Sequence, residues 1–484
     1  MSGLGSVDHL VVLMLENRSF DHMLGFLYAG TGNMSATQQA FDGLTGNESN
    51  TDSQGNVVPV FRITPDLENA YWYPLCDPGE GYLNTNEQLF GSSTAPTPAV
   101  ATNQGFVTNF AAALASSSDP PLDGAANSCI MGMYTPAMLP VLSALATGFA
   151  VCDAWFASVP TETLPNRAFA LAGTSLGRVS DSEKYYDTPS IFGALTKQGV
   201  LWKIYGYTKQ PLTQMDYPDT RSAPASSFGL FTDFQNDAAA GTLPAFSFLE
   251  PEWASGGLTL ENDQHPVSNL ANGEGLMLQV YHAVKNSPNW ASTLLVVTYD
   301  EHGGCYDHVP PPVGAAPPDD SADNNPGSDG FDFSRFGLRV PTVLISPLIA
   351  AATVYRAPEG GPPLDHTSVL ATIEKRWGLG PLTKRDAVAP DVGSVLTLQE
   401  PRVDDPLSGI TAPGYTNPNG SNASSIGTRP TRVLEAHALM AAELPIADAP
   451  IADPKSAVAG LKTAKDYSDF IEERLVRWNE SKSR

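Results

Sequence analysis

Residues 294–304 read Leu-Leu-Val-Val-Thr-Tyr-Asp-Glu-His-Gly-Gly. Apolar, β-branched and aromatic residues run without a break into two carboxylates, an imidazole and two glycines. A strand covered on both faces has no solvent side to show. It therefore reads as a continuous apolar run rather than an alternation, as in a parallel sheet between helices. Residues 9–15, His-Leu-Val-Val-Leu-Met-Leu, follow the same pattern and run into Glu16-Asn17-Arg18-Ser19-Phe20-Asp21-His22. Residues 201–205 and 340–346 read as further buried strands, and 149–159 as a weaker one. Between them, residues 138–146, the stripe Leu276, Val280, Tyr281 and Val284, and residues 367–377 carry helical periodicity. For the last, Asp365 or Thr367 is the expected cap and Val369, Leu370, Ile373 and Trp377 the apolar stripe. Strands alternating with helices predict an α/β fold with helices on both faces of the sheet.

The chain is long enough, at 484 residues, for one large domain with an appended piece. Its 42% hydrophobic and 16% charged residues exclude wholesale disorder. With 27 Lys+Arg against 52 Asp+Glu, the formal net charge is -25. No basic block is present, so no nucleic-acid partner is expected, and electrostatic docking on anionic lipid is disfavoured. Zwitterionic lipid and small phosphate esters remain compatible, with transient contact at a membrane surface. Cys76, Cys129, Cys152 and Cys305 form no CxxC pair and no disulfide scaffold at this length. No apolar run is long enough to span a membrane. The start lacks a basic n-region, so no signal peptide is evident. A cytoplasmic location, or export by a signal-independent route, is the expectation.

Residues 31–70, 76–104 and 310–334 read as long loops of the kind that wall or cover sites. The expected organisation is a main domain over residues 1–400, a linker over 401–430 and a helical C-terminal extension over 431–484. In that extension, 432–444 and 458–478 read as helices. Tyr467, Phe470, Ile471, Leu475 and Trp478 share one face of the last helix, which should dock on the main domain.

In an open α/β sheet, ligands collect at the carboxyl ends of the strands. Two such ends carry carboxylates beside a carboxamide or imidazole: Glu16 and Asn17 after one strand, Asp300, Glu301 and His302 after another. Hard oxygen donors with an occasional nitrogen suit a divalent cation. A third element is Thr161-Glu162-Thr163-Leu164-Pro165-Asn166-Arg167. Pro165 fits the first helical position, which sets Thr163 just before a helix N-terminus that favours anions. Arg167 adds a guanidinium able to grip phosphate oxygens, although a threonine there is also a common N-cap. His265, in Asp263-Gln-His-Pro266, and His366, in Asp365-His-Thr-Ser368, lie in loops before helices, where an imidazole serves as acid, ligand or plain polar surface. His9, His22, His282 and His437 read as structural or exposed. Asp307 and His308 fit a role in holding the following proline turn, and Cys305 that of a small buried residue.

The runs Glu-Asn-Arg-Ser-Phe-Asp-His at 16–22, Thr-x-Pro-Asn-Arg at 163–167 and Thr-Tyr-Asp-Glu-His-Gly-Gly at 298–304 resemble the bacterial and plant family of non-specific phospholipases C and acid phosphatase A. Gly-Leu-Arg-Val-Pro-Thr-Val-Leu-Ile-Ser-Pro at 337–347, Asp-His-Thr-Ser at 365–368 and Asp-x-His-Pro at 263–266 extend the resemblance over roughly residues 7–380. It implies a fold like that of the alkaline phosphatase superfamily, a three-layer αβα sandwich with a mainly parallel sheet. It also implies one divalent metal ion, zinc, calcium or manganese, held by Glu16, Asn17, Thr163, Asp300 and Glu301. Thr163 would be the nucleophile and pass through a phosphothreonine. Asn166 and Arg167 would hold phosphoryl oxygens or the helix start, and His265 would give a proton to the leaving group. His366 is a further candidate for the same pocket.

Threonine rather than serine at 163 tilts the resemblance toward phospholipase C acting on substrates such as phosphatidylcholine. An acid-phosphatase-type phosphomonoesterase is the nearest alternative, and a weakly active protein that binds a phosphate headgroup is a third. The sequence departs from relatives before the nucleophile, where Glu80 and Asn86 stand in place of expected histidines.

Overall fold

The computed structural model describes residues 3–117, 120–181, 185–256, 259–320, 330–421 and 428–482. One sheet of eight strands organises it. In chain order these are β1 (His9–Leu15), β2 (Ala150–Val151), β3 (Trp202–Gly206), β4 (Phe228–Leu230), β5 (Phe246–Leu249), β6 (Thr293–Tyr299), β7 (Thr342–Ile345) and β8 (Thr353–Val354). Across the sheet they lie in the order β8-β2-β7-β6-β1-β5-β3-β4. All neighbours pair in parallel except β7, which runs antiparallel to both β6 and β2. Every residue of β6, and all of β1 beyond His9, is buried. That is the physical meaning of their unbroken apolar runs: both faces are covered.

The covering helices fall into two packed groups. Pro140–Gly148 and Phe231–Ala240 pack on Leu270–Lys285, and Thr163–Ala172 packs on Ile191–Lys197 and Thr367–Trp377. The result is the expected α/β sandwich with a mainly parallel sheet. The weaker strand expected at 149–159 is divided. Ala150–Val151 joins the large sheet, while Trp155–Phe156 pairs with Leu364–Asp365 in a separate two-stranded sheet. Helix Thr367–Trp377 starts where expected, with Asp365 Oδ1 accepting the Thr367 amide at 3.1 Å. Helix Tyr82–Phe90 occupies part of the expected 76–104 loop. Its inward face carries Thr85, Asn86 and Gln88, so its amphipathic pattern is diluted by polar residues that are buried and hydrogen-bonded. Of the Pro/Asp/Gly-rich stretch at 310–334, residues 321–329 lie outside the described residues, as do 422–427 of the expected linker.

Helices Arg432–Ala442 and Ala464–Lys482 pack on each other and share the single large core, which runs from Leu4 to Trp478. The last begins later than its periodicity suggests, because Asp466 accepts from the amides of Lys462 and Thr463 and sets the start there. Ile471, Leu475 and Trp478 are buried, and Tyr467 and Phe470 partly so. No helix among the described residues is long and apolar enough to cross a membrane.

Candidate active site

Strands β1 and β6 are parallel neighbours with Leu15 opposite Tyr299. Glu16 and Asp300 therefore leave the sheet side by side at its carboxyl edge, where an α/β sheet exposes a crevice. Asn17 turns the chain with φ of 56°, a left-handed conformation that asparagine tolerates better than most residues. Its amide donates to Asp300 Oδ1 at 3.0 Å. Gly303, with φ of 60°, closes over this turn, and a Cβ there would run into the Asn17 carbonyl. The Gly-Gly after Asp-Glu-His is thus required by close backbone approach.

Thr163 is the first residue of helix Thr163–Ala172, so Pro165 falls at the third position rather than the first. A proline is still tolerated in the first turn, where no intrahelical acceptor awaits its amide. Thr163 Oγ1 donates to Asn17 Oδ1 at 3.2 Å, and Asn17 Nδ2 donates to Glu80 Oε2 at 2.5 Å. The carboxamide is oriented from both ends, with the threonine hydroxyl at one of them. Asn166 turns away from this point. Its Nδ2 donates to the carbonyls of Val159, Thr161 and Glu162, and its Oδ1 accepts from the Val159 amide. Of the two roles its motif implies, the carboxamide is occupied with the helix start. Arg167 reaches back under the strand ends. Its Nε lies 3.0 Å from Asp300 Oδ2, and its Nη2 lies 3.8 Å from Glu16 Oε1 and donates to the Leu15 carbonyl at 3.2 Å.

The two loop histidines differ in what they can do. His366 accepts at Nδ1 from Trp155 Nε1 at 3.3 Å, and its Nε2 lies 2.5 Å from the Asp300 carbonyl. A tryptophan N–H can only donate, so Nδ1 of His366 is the acceptor and Nε2 carries the proton. Burial holds this imidazole below its ordinary range. With both nitrogens so bonded, His366 holds the Asp300 backbone carbonyl. His265 faces the crevice. Its Nδ1 lies 2.5 Å from the Pro266 carbonyl and its Nε2 lies 3.6 Å from Glu80 Oε2. Burial pulls its pKa down, but the carboxylates of Asp77, Glu80 and Asp263 outweigh it and raise the value. Both ring nitrogens thus point at acceptors, which favours the protonated form.

Whether the acidic strand ends suit a cation can be read from their hydrogen bonds. Both carboxylate oxygens of Glu16 and the Oε1 of Glu301 are buried with no hydrogen-bond partner. Buried acceptors left so are costly, and for Glu16 the Arg167 guanidinium, 3.8 Å from Oε1, meets part of that cost. Burial, compounded by Asp300 and opposed by Arg167, pushes Glu16 well above the usual carboxylate range. Burial, with Glu80 and then Asp300 adding to it, does the same to Glu301. Carboxylate oxygens are the donor type that a divalent ion takes. Beside them, Asp77, Glu80 and His265 bring ligand atoms within 4.8 Å of one another. Asp21, Asp307 and His308 form a similar group, but Arg339 already lies 2.9 Å from Asp21 Oδ1 and 3.0 Å from Asp307 Oδ1. Asp307 Oδ1 also accepts the Val309 amide at 2.9 Å, so it supports the turn before the prolines as expected. The support is one part of a buried ion-pair network that the sequence did not show.

A cavity of about 570 Å³ is lined in part by Glu80, Asp263, His265, Trp253 and Arg432. Several of its neighbours escaped the sequence reading. Glu162 and Asp181 flank the start of the Thr163 helix, and Arg432 arrives from the C-terminal segment. Glu162 could have been flagged by its place beside Thr163, but Asp181 and Arg432 carry no local signal.

The model of the Phosphoesterase family matches residues 7–380. Non-specific phospholipase C1 of Arabidopsis thaliana is 38% identical over 417 residues, covering 83% of this chain and 73% of the relative. Phospholipase C A of Mycobacterium tuberculosis is 29% identical over 463 residues, covering 87% of this chain and 80% of the relative. Among solved structures, the phosphonate monoester hydrolase of Agrobacterium radiobacter is 13% identical with a TM-score of 0.31, covering 55% of this chain and 73% of that one. At that score the likeness carries no weight. The family match and the identity over most of the chain do: the chain belongs to the Phosphoesterase family and is a phosphoric ester hydrolase.

Proposed function

We propose that this chain is a metal-dependent phospholipase C that cleaves the glycerol-side phosphodiester of phospholipids such as phosphatidylcholine through a phosphothreonine on Thr163. The observation that carries the reading is the hydroxyl of Thr163 on Asn17, the residue after Glu16, whose buried carboxylate oxygens accept no hydrogen bond. A divalent ion held by Glu16, Asn17, Thr163, Asp300 and Glu301 would supply charge to lower the hydroxyl pKa and offset the phosphoryl group.

The chain's own residues do the rest. Thr163 Oγ1 gives up its proton to solvent and forms a bond to phosphorus while the bond from phosphorus to the glycerol oxygen breaks. His265 gives its proton to that oxygen, releasing diacylglycerol. Water then attacks phosphorus from the side the glycerol left, and the now neutral His265 takes the proton from it. The bond from phosphorus to Thr163 Oγ1 breaks, phosphocholine departs, and Oγ1 takes back a proton from solvent. Asn17, fixed by Glu80, keeps Oγ1 aimed, and His366 keeps the Asp300 backbone in place. Transient contact with a lipid surface delivers the substrate.

Phosphorus NMR of the protein with phosphatidylcholine micelles, with and without a chelator, tests this. The expected result is phosphocholine, abolished by the chelator. Cleavage confined to a phosphomonoester would replace this reading with a monoesterase.

A further inference from the structure

We propose that Arg432, 270 residues beyond Glu162 in sequence, is a positioning residue for the Thr163 hydroxyl, supplied to the active site by the C-terminal segment. The inference rests on the reading of Thr163 as nucleophile. Glu162 immediately precedes Thr163 and stands at the N-cap of its helix, yet its carboxylate makes no capping bond there. Its Oε2 instead accepts the Asp181 amide at 2.5 Å, and its Oε1 accepts Arg432 Nη1 at 2.7 Å. Asp181 Oδ1 in turn accepts the amide of Leu164 at 2.8 Å. The nucleophile is bracketed by two carboxylates, one on the residue before it and one on the amide after it.

A third carboxylate is close. Gly81 lies so near Glu162 that a Cβ on it would sit 2.9 Å from Oε1. The next residue back, Glu80, fixes the Asn17 carboxamide that receives the Thr163 hydroxyl. A shift of Glu162 would therefore reach Thr163 by two routes, directly along the chain and through Glu80 and Asn17. Of the carboxylates around Arg432, Glu162 is its strongest electrostatic partner, ahead of Glu80 and Asp181. Its side chain is 66% exposed while that of Glu162 is 4% exposed. Removing it strips a counter-charge from a buried carboxylate, which costs more than losing an exposed pair.

The test measures kcat and KM on p-nitrophenyl phosphorylcholine for the full chain and four variants. Arg432→Gln is expected to lower kcat roughly ten-fold at nearly unchanged KM, and Arg432→Lys to restore most of it. Tyr185→Phe removes a 3.2 Å hydrogen bond to the Met440 carbonyl on the same helix without touching Glu162, and should keep kcat. Full kcat in Arg432→Gln, with Thr163→Ala inactive, would overturn this inference alone. So would an equal loss in Tyr185→Phe, or no recovery with lysine, since either points to docking of the segment rather than charge at Glu162. Full turnover in Thr163→Ala would instead overturn the nucleophile reading on which the inference rests.

Discussion

Thr163 and Asn17, 146 residues apart in sequence, share a 3.2 Å hydrogen bond at the carboxyl edge of the sheet. The end of strand β1 and the start of helix Thr163–Ala172 meet there, so the position of the hydroxyl is set by two rigid elements rather than by a loop. Glu80 holds the other end of the Asn17 carboxamide. The first prediction follows from this arrangement. Thr163→Ala should lose at least about 10³-fold in kcat with an unchanged unfolding midpoint, while Thr163→Ser should stay within about ten-fold. Steady-state kinetics beside thermal unfolding checks both.

His265 is raised toward its protonated form by three carboxylates, against burial. His265→Gln should slow an alkyl phosphodiester roughly 10²-fold or more. Read as kcat/KM, which ends at loss of the leaving group and so leaves out the shared water step, a p-nitrophenyl diester should suffer much less, because p-nitrophenolate leaves without a proton. Equal losses on the two substrates would remove His265 as proton donor.

Gly303 allows the Asp-Glu-His-Gly-Gly turn to close on the Asn17 carbonyl. Gly303→Ala should destabilise the fold by roughly 1–3 kcal/mol and push Asn17 out of line. Binding of zinc, calcium or manganese, tried in turn by titration calorimetry, should weaken with it. Unchanged ion binding in a folded variant would separate this turn from the cation site.

His308 gives a stability prediction with a definite sign. Burial pulls its pKa down, but the carboxylates of Asp21 and Asp42 outweigh it and lift it to about 10. In the unfolded chain the value is about 6.5. Stability from the charged imidazole is thus fully present below about pH 6.5 and is lost as pH rises through about 10. His308→Gln should cost about 1–3 kcal/mol at pH 6 and progressively less toward pH 10.5, by urea unfolding. A cost that grows with pH would reverse the assignment.

The parts of this structure legible in the sequence are those with local causes. β1 and β6 announce themselves because both faces are buried, and the carboxylates at their ends follow from where the strands stop. β5 hides because it is only Phe246–Leu249, with a buried serine inside it. β7 is visible as a strand, but its reversed direction depends on pairing with β6, which no local pattern encodes. Motifs named Asn166 and His366 without showing which way each would turn, and the hydrogen bonds that decide it come from Val159, Trp155 and Asp300. Arg432 lay beyond reach because its partner is 270 residues away.

The stereochemical course at phosphorus tests the covalent mechanism most directly. A diester made chiral at phosphorus with oxygen isotopes would be hydrolysed in isotopically labelled water and the configuration of the product read by phosphorus NMR. Two in-line displacements, the first by Thr163 and the second by water, give net retention. Inversion would mean that water attacks the substrate directly and would contradict the phosphothreonine.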